Sequence, residues 1–258
     1  MSVATARPSL SSNDTSVLQA LFDAESAPSS GVKIDSQLPP WPATLNISPA
    51  DLDSLKAQET QIVRKLHSNE SPQREHVESA LHSLDGLLND YPSYPSAYAN
   101  RAQVLRILVD LQSDRTNSHS PETIPRDDLF RLESAELCDR ILSDIGKAIS
   151  LATPASPADP VSPTQARLLA DAHTHRGYLL LKAARTKKTA GGVGFGAGLP
   201  SRLCNLNADQ LEEMASRDFF FGGRYGNKVA QQLSVQTNPY AKMCGAIMKE
   251  AMMKEMRG

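Results

Sequence analysis

Three stretches of this 258-residue chain carry residue types that could do chemistry. The first, TAGGVGFGAGLP at 189–200 behind Lys187 and Lys188, has the glycines and cations of a phosphate cradle. A dinucleotide loop follows a strand and a P-loop ends in Gly-Lys-Ser/Thr; neither context is present, so the stretch reads as a flexible linker. The second is His173-Thr174-His175. Residues i and i+2 of a helix do not face each other, so these imidazoles cannot share a metal ion. The third set is Cys138, Cys204 and Cys244, odd in number, far apart and without a CxxC pair. That spacing argues against a disulfide framework or zinc site and for a reducing compartment. No nucleophile, base and orienting group share a local arrangement. The sequence therefore assigns no catalytic, cofactor-binding or metal-binding residue, and the chain reads as a non-enzyme.

The bulk properties point the same way. A net charge of -2 with Lys and Arg spread along the chain gives no electrostatic footprint for nucleic acid. The apolar runs fall far short of the roughly 20 residues that span a bilayer, and the N-terminus MSVATARPSLSSND lacks a signal-type apolar region. A monomer in the cytoplasm, with the nucleus also open to it, is the expectation.

The elements that would position any site are helical. Residues 1–49 are rich in proline and serine and are expected to be mostly disordered, apart from NDTSVLQALFDAES at 13–26. There Val17, Leu18, Leu21 and Phe22 form one apolar face on a helix too short to stand alone. It either docks on this chain's own domain or enters a partner's groove. Helices follow at 48–68, 75–92 and from 96 onward, then at 132–154, 165–188 and 206–223, each with one apolar stripe. The stretch SDRTNSHSPETIPRDD, 113–128, is polar and proline-broken and cannot itself be a packed partner helix.

The helices come in pairs that fit a repeat of about 34 residues. Ala80, Leu84, Leu87 and Pro92 match its positions 20, 24, 27 and 32, and Ala102 then lands on position 8 of the next copy. Ile141, Ile145 and Ala148 match 20, 24 and 27 of that copy, but Ala102 to Ile141 is 39 residues where 12 are needed, so 27 are inserted. Gly177, Ala215, Phe219 and Gly222 match 8, 20, 24 and 27 of a third copy, again after an insertion. The expected fold is an all-α, right-handed tetratricopeptide-repeat solenoid. Its three repeats cover about 50–94, 95–154 and 163–223, and its two insertions, 113–131 and 186–205, are read as polar turns that folding does not need.

A C-terminal helix at 238–258, NPYAKMCGAIMKEAMMKEMRG, starts at Asn238 and Pro239. Tyr240, Met243, Cys244, Ile247 and Met248 lie on its seam, which is expected to cap the last repeat. Phe219 of the run Phe219-Phe220-Phe221 is a core position; one neighbour packs under this helix, and an exposed one marks a contact patch.

The elements NDTSVLQALFDAES, SAYANRAQVLR and NPYAKMCGAIMKEAM together resemble the tetratricopeptide repeat protein 36 family, over about 170 residues outside the insertions. The resemblance implies a small three-repeat binding protein linked to Hsp70-type chaperones and to tyrosine catabolism. A second reading is a scaffold that holds a metabolic enzyme or other client without chaperone contact. Partner contacts would lie on the concave face, with Tyr98, Asn100, Gln103, His173 and Arg176 as the candidate residues. Repeat proteins that grip a carboxylate-terminal tail use an asparagine at position 6 of the second repeat, here Asn100, and cations at positions 2 and 6 of the third. Those positions hold Asp171 and His175, so the cations are missing. Lys65 and Asn69 match the first repeat only if no residues are inserted before Glu75. Asn100 also suits helix packing.

Overall fold

The computed structural model describes residues 32–66, 73–117, 128–189, 198–238 and 253–254. Eight helices follow in order: α1 Pro49–Leu66, α2 Arg74–Asp90, α3 Pro95–Asn117, α4 Ala135–Ala152, α5 Pro163–Thr189, the single turn α6 Ser201–Cys204, α7 Ala208–Arg224 and α8 Lys228–Thr237. The architecture is all-α. Extended pairing among the described residues is limited to a bridge between Ile34 and Val161.

Local chemistry fixes the helix starts. Ser48 Oγ accepts the Asp51 backbone N–H at 3.1 Å ahead of Pro49, and Ser162 Oγ accepts that of Gln165 at 3.1 Å ahead of Pro163. Each hydroxyl satisfies an orphan donor of the first turn, and proline there sacrifices no hydrogen bond. Asn207 and Gln210 form a reciprocal capping box at α7.

Each long helix packs on the next, α5 directly on α7. The expected signature positions Ala80, Leu84, Ala102, Ile145, Ala148, Gly177, Ala215 and Phe219 are all buried, while Pro92 is exposed at the α2–α3 turn. Helices α5 and α7 run antiparallel and approach closely. A Cβ on Gly177 would sit 2.8 Å from the Phe219 ring, and one on Gly222 2.7 Å from Thr174 Oγ1. Glycine is needed at both positions because the contacts are closer than any side chain allows.

Residues 32–47 depart from the expected disorder. They form an extended strap. The Val32 N–H donates to the Arg224 carbonyl at the end of α7 at 3.5 Å, and Asp35 and Lys33 exchange backbone hydrogen bonds with Val161 between α4 and α5, both at 2.9 Å. Ser162 Oγ donates to the Pro40 carbonyl at 2.8 Å, and Ser93 Oγ, in the α2–α3 turn, donates to the Leu45 carbonyl at 3.0 Å. Trp41, 6% exposed, packs edge-on against Tyr94 at 6.1 Å. The motif at 13–26 lies outside the described residues.

The two insertions are also partly structural. Helix α3 continues to Asn117 and α5 to Thr189. Beyond the undescribed centres, Leu129 and Phe130 are 0% and 1% exposed, and Leu199 and Leu203 are buried. The Gly198 N–H donates to the Phe130 carbonyl at 3.2 Å, which joins one insertion to the other. Burying side chains of this size contributes about 1.5–3 kcal/mol each, so these ends cannot be replaced by polar turns at no cost.

Helix α8 is absent from the sequence expectation. Its Ala230 is buried against Gly222, so α8 packs on the end of α7. Asn238 closes α8. Pro239 and Tyr240 lie outside the described residues.

Trp41→Ala is expected to lower stability by about 3–5 kcal/mol, the cost of emptying a large buried site. At roughly 2–4 °C per kcal/mol, thermal unfolding should show a drop on the order of 10 °C. Trp41→Phe should cost much less, because it also removes a buried indole N–H that has no acceptor. An unchanged midpoint for Trp41→Ala would mean that the strap contributes no packing.

Candidate functional site

Three polar nodes join the helices, and the first and third take up residues expected to contact a partner. At the first, Asn100 Nδ2 donates to Glu59 Oε1 of α1 at 2.5 Å, and Tyr94 Oη donates to Glu59 Oε2 at 2.9 Å. Burial pushes the Glu59 carboxyl up against the hydrogen bonds from Ser96, Tyr94 and Asn100 that favour its charge. Burial and the Glu59 carboxylate likewise raise the Tyr94 phenol. Asn100 therefore holds the chain's own carboxylate and ties α1 to α3. Tyr98 Oη donates to the Pro92 carbonyl at 3.0 Å, while Gln103 is exposed.

The second node joins α2, α3 and α4. Arg101 Nε and Nη2 donate to the two oxygens of Asp144 at 2.8 and 2.7 Å. Its Nη1 reaches Asp85 at 2.7 Å, and Arg140 approaches the same Asp85 oxygen at 2.5 Å. Hydrogen bonding to Asp144 raises the Arg101 guanidinium against the desolvation that opposes it. The Asp144 side chain is 5% exposed, so this fork is what allows a carboxylate to sit there charged.

At the third node, Arg176 Nε and Nη2 donate to Asp218 Oδ2 and Oδ1, both at 2.7 Å. His173 Nδ1 lies 2.8 Å from Asp218 Oδ1, and its ring stacks between Phe221 at 5.3 Å and Tyr225 at 6.2 Å. Burial alone would push the Asp218 carboxyl up, but the bonds from His173 and Arg176 outweigh it and hold the group below its ordinary value. His173 and Arg176 are thus internal ligands of a buried carboxylate. Phe221 is half-buried on His173 and Phe220 is exposed, while the helix at 238–258 under which one of them was expected to pack lies outside the described residues but for 238 and 253–254.

The second and third nodes are the same device. In each, arginine precedes the small residue of the first helix, at Arg101-Ala102 and Arg176-Gly177. Aspartate precedes the bulky residue of the second helix, at Asp144-Ile145 and Asp218-Phe219. The separations are 43 and 42 residues. Spacing between dipeptides was the signal that could have found it, since stripe analysis registers only apolar positions.

Between the second and third nodes sits His175, whose pKa is lowered to about 4 by burial first and then by Arg106 and Lys182. His173 and His175 have separate surroundings, and no group of three metal-ligating side chains occurs among the described residues. Lys65 lies in the last turn of α1, which ends at Leu66 before α2 begins at Arg74. Asn69 is outside the described residues.

The chain matches no family model and no solved structure. The L-tyrosine degradation gene cluster protein hmgX of Aspergillus fumigatus is 58% identical to it over 252 residues, which are 98% of this chain and 95% of that protein. The chain belongs to the hmgX family. No described helix is long and apolar enough to cross a membrane.

His175 gives a pH signature. The unfolded chain protonates this residue near a pKa of about 6.5, whereas the folded chain keeps it neutral down to about 4. Protons then bind the unfolded state preferentially, so stability present above pH 6.5 declines as pH falls toward 4. Denaturant unfolding of His175→Gln across this interval should show a flatter decline than the native chain. Equal slopes would contradict a buried neutral imidazole.

Proposed function

We propose that the chain is a tetratricopeptide-type interaction adaptor, without catalytic chemistry of its own, that holds proteins of L-tyrosine degradation together. The observation that carries this reading is the repeated Arg–Asp fork. Two helix pairs use it at equivalent offsets from a small residue on the first helix and a bulky one on the second. Equivalent contacts at equivalent offsets are what a repeat array produces, because each copy must satisfy its neighbours in the same way. The close approach of Gly177 to Phe219 supports the same register. The pathway comes from the name of the relative, which is called an L-tyrosine degradation gene cluster protein. The resemblance to the tetratricopeptide repeat protein 36 family also implies tyrosine catabolism.

The site chemistry favours a client scaffold over a grip on a chaperone's carboxylate tail. Glu59 already occupies Asn100. Of the two third-repeat positions that would supply cations, Asp171 is an acid and His175 is neutral down to about pH 4. A carboxylate entering there meets no positive charge from either residue. The second reading, a co-chaperone partner of Hsp70, would have to use another surface.

The purified full chain is expected to form a stoichiometric complex with an enzyme of L-tyrosine degradation, detected by size-exclusion chromatography of pairwise mixtures. Any Hsp70 bound should stay bound after deletion of that chaperone's C-terminal tail. If every enzyme elutes alone while Hsp70 binds only with its tail intact, the scaffold reading fails and the clamp register is wrong.

A further inference from the structure

The start of α5 carries a chemistry that the adaptor reading leaves unused. A cleft of about 530 Å³ opens there between the strap and the α7–α8 turn. Ala166 and Ala170, both buried, line its α5 side. Ile34 of the strap and Val229 of α8 also line it, 52% and 51% exposed, so large aliphatic surface stands open to water at its edges. Three charged side chains share the cleft: Arg167, Asp171 and Lys228. Arg167 and Asp171 are four residues apart on one helix and so share a face, about 5–6 Å apart at Cβ. None of the three forms a hydrogen bond or ion pair with a described residue, whereas the buried carboxylates Asp144 and Asp218 are fully engaged. The Asp171 carboxyl is pushed up by desolvation against the attraction of Arg167.

We propose that this cleft binds a free aromatic α-amino acid. Arg167 and Lys228 take the α-carboxylate, Asp171 takes the α-ammonium, and Ile34, Val229 and the alanine surface cover the ring. Opposite charges one helical turn apart suit a zwitterion, in which both charges sit on one carbon. An amine or an acid alone would leave one protein group without a partner. The cleft volume falls within the roughly 300–1,000 Å³ typical of small-molecule sites. The zwitterion assignment rests on the three charges, and the aromatic side chain rests on the proposed link to L-tyrosine degradation. Occupancy would let the adaptor respond to the amino acid whose breakdown it serves.

Isothermal titration of the full chain tests this with a defined set of probes. L-phenylalanine and L-tyrosine should bind saturably. Tyramine lacks the carboxylate and 3-(4-hydroxyphenyl)propionate the ammonium, and each should bind at least about tenfold more weakly, the loss of one charge-assisted contact; glycine lacks the ring and should lose about as much through the apolar surface it cannot bury. Arg167→Ala and Asp171→Asn should each weaken L-phenylalanine by about tenfold or more with an unchanged circular dichroism spectrum, since both side chains are exposed. Absence of saturable heat with L-phenylalanine would overturn the proposal, as would equal affinity for glycine. Equal binding of N-acetyl-L-tyrosine would overturn it in favour of a peptide end. The enzyme complex above is measured without amino acid, so failure of either result leaves the other standing.

Discussion

A carboxylate taken out of water between helices is tolerated only when donors fill its lone pairs, and Asp144 and Asp218 are the most buried such groups among the described residues. Each is gripped by both arms of a guanidinium fork from the preceding long helix. The planar fork accepts one arrangement of the two oxygens, so it fixes how the paired helices sit along and around each other. A slip in register would leave a charge buried without a partner, which costs several kcal/mol. Once the register is fixed, the apolar contacts follow. Ala102 sits beside Arg101 and Ile145 beside Asp144, as Gly177 does beside Arg176 and Phe219 beside Asp218. The fork therefore selects the packing, while the apolar stripes supply most of the driving force.

Stacked helix pairs contact only their neighbours, and such an arrangement opens from its ends. The strap counters that tendency by linking points far apart in the sequence. It bonds to the end of α7, to the α4–α5 connection and to the α2–α3 turn before the chain enters α1. At one end of the stack α8 lies over α7, with Ala230 against Gly222. Such bracing would suit the proposed adaptor, whose contact surface has to keep its shape while partners come and go. The same strap provides Ile34 to the cleft at the start of α5, so a ligand there would touch the segment that holds the helix pairs together.

The helices were legible because their stripes follow the 3.6-residue period, and Ile141, Ile145 and Ala148 of α4 are buried as that period requires. Three features were not. The strap has the same proline- and serine-rich composition whether free or packed, and its order comes from backbone bonds to distant turns and from one tryptophan. Helix α8 is only 10 residues long, and its decisive contact is made by a small residue, Ala230, in a depression left by glycine. Leu129 and Phe130 are two apolar residues within a polar stretch, too few to register as an element. The site was legible by helix and not by face. His173 and Arg176 were singled out correctly as chemically notable, but only the packing of α7 on α5 shows that they point inward to Asp218. Arg101, Asp144 and Asp218 escaped notice because charged residues within an amphipathic pattern are normally assigned to solvent.

The scaffold reading rests on the two forks being copies of one unit, and a pair of double-mutant cycles measures this directly. Arg101→Met and Asp144→Leu form one cycle, Arg176→Met and Asp218→Leu the other, each read by denaturant unfolding. Each single substitution should cost about 3 kcal/mol by breaking the fork while Asp85 still holds Arg101 and His173 still holds Asp218, and each double substitution should recover most of that loss. Coupling energies of similar size in the two cycles are the expected result. Additive losses in one cycle and strong coupling in the other would show that the forks are not equivalent, and would contradict the proposed repeat.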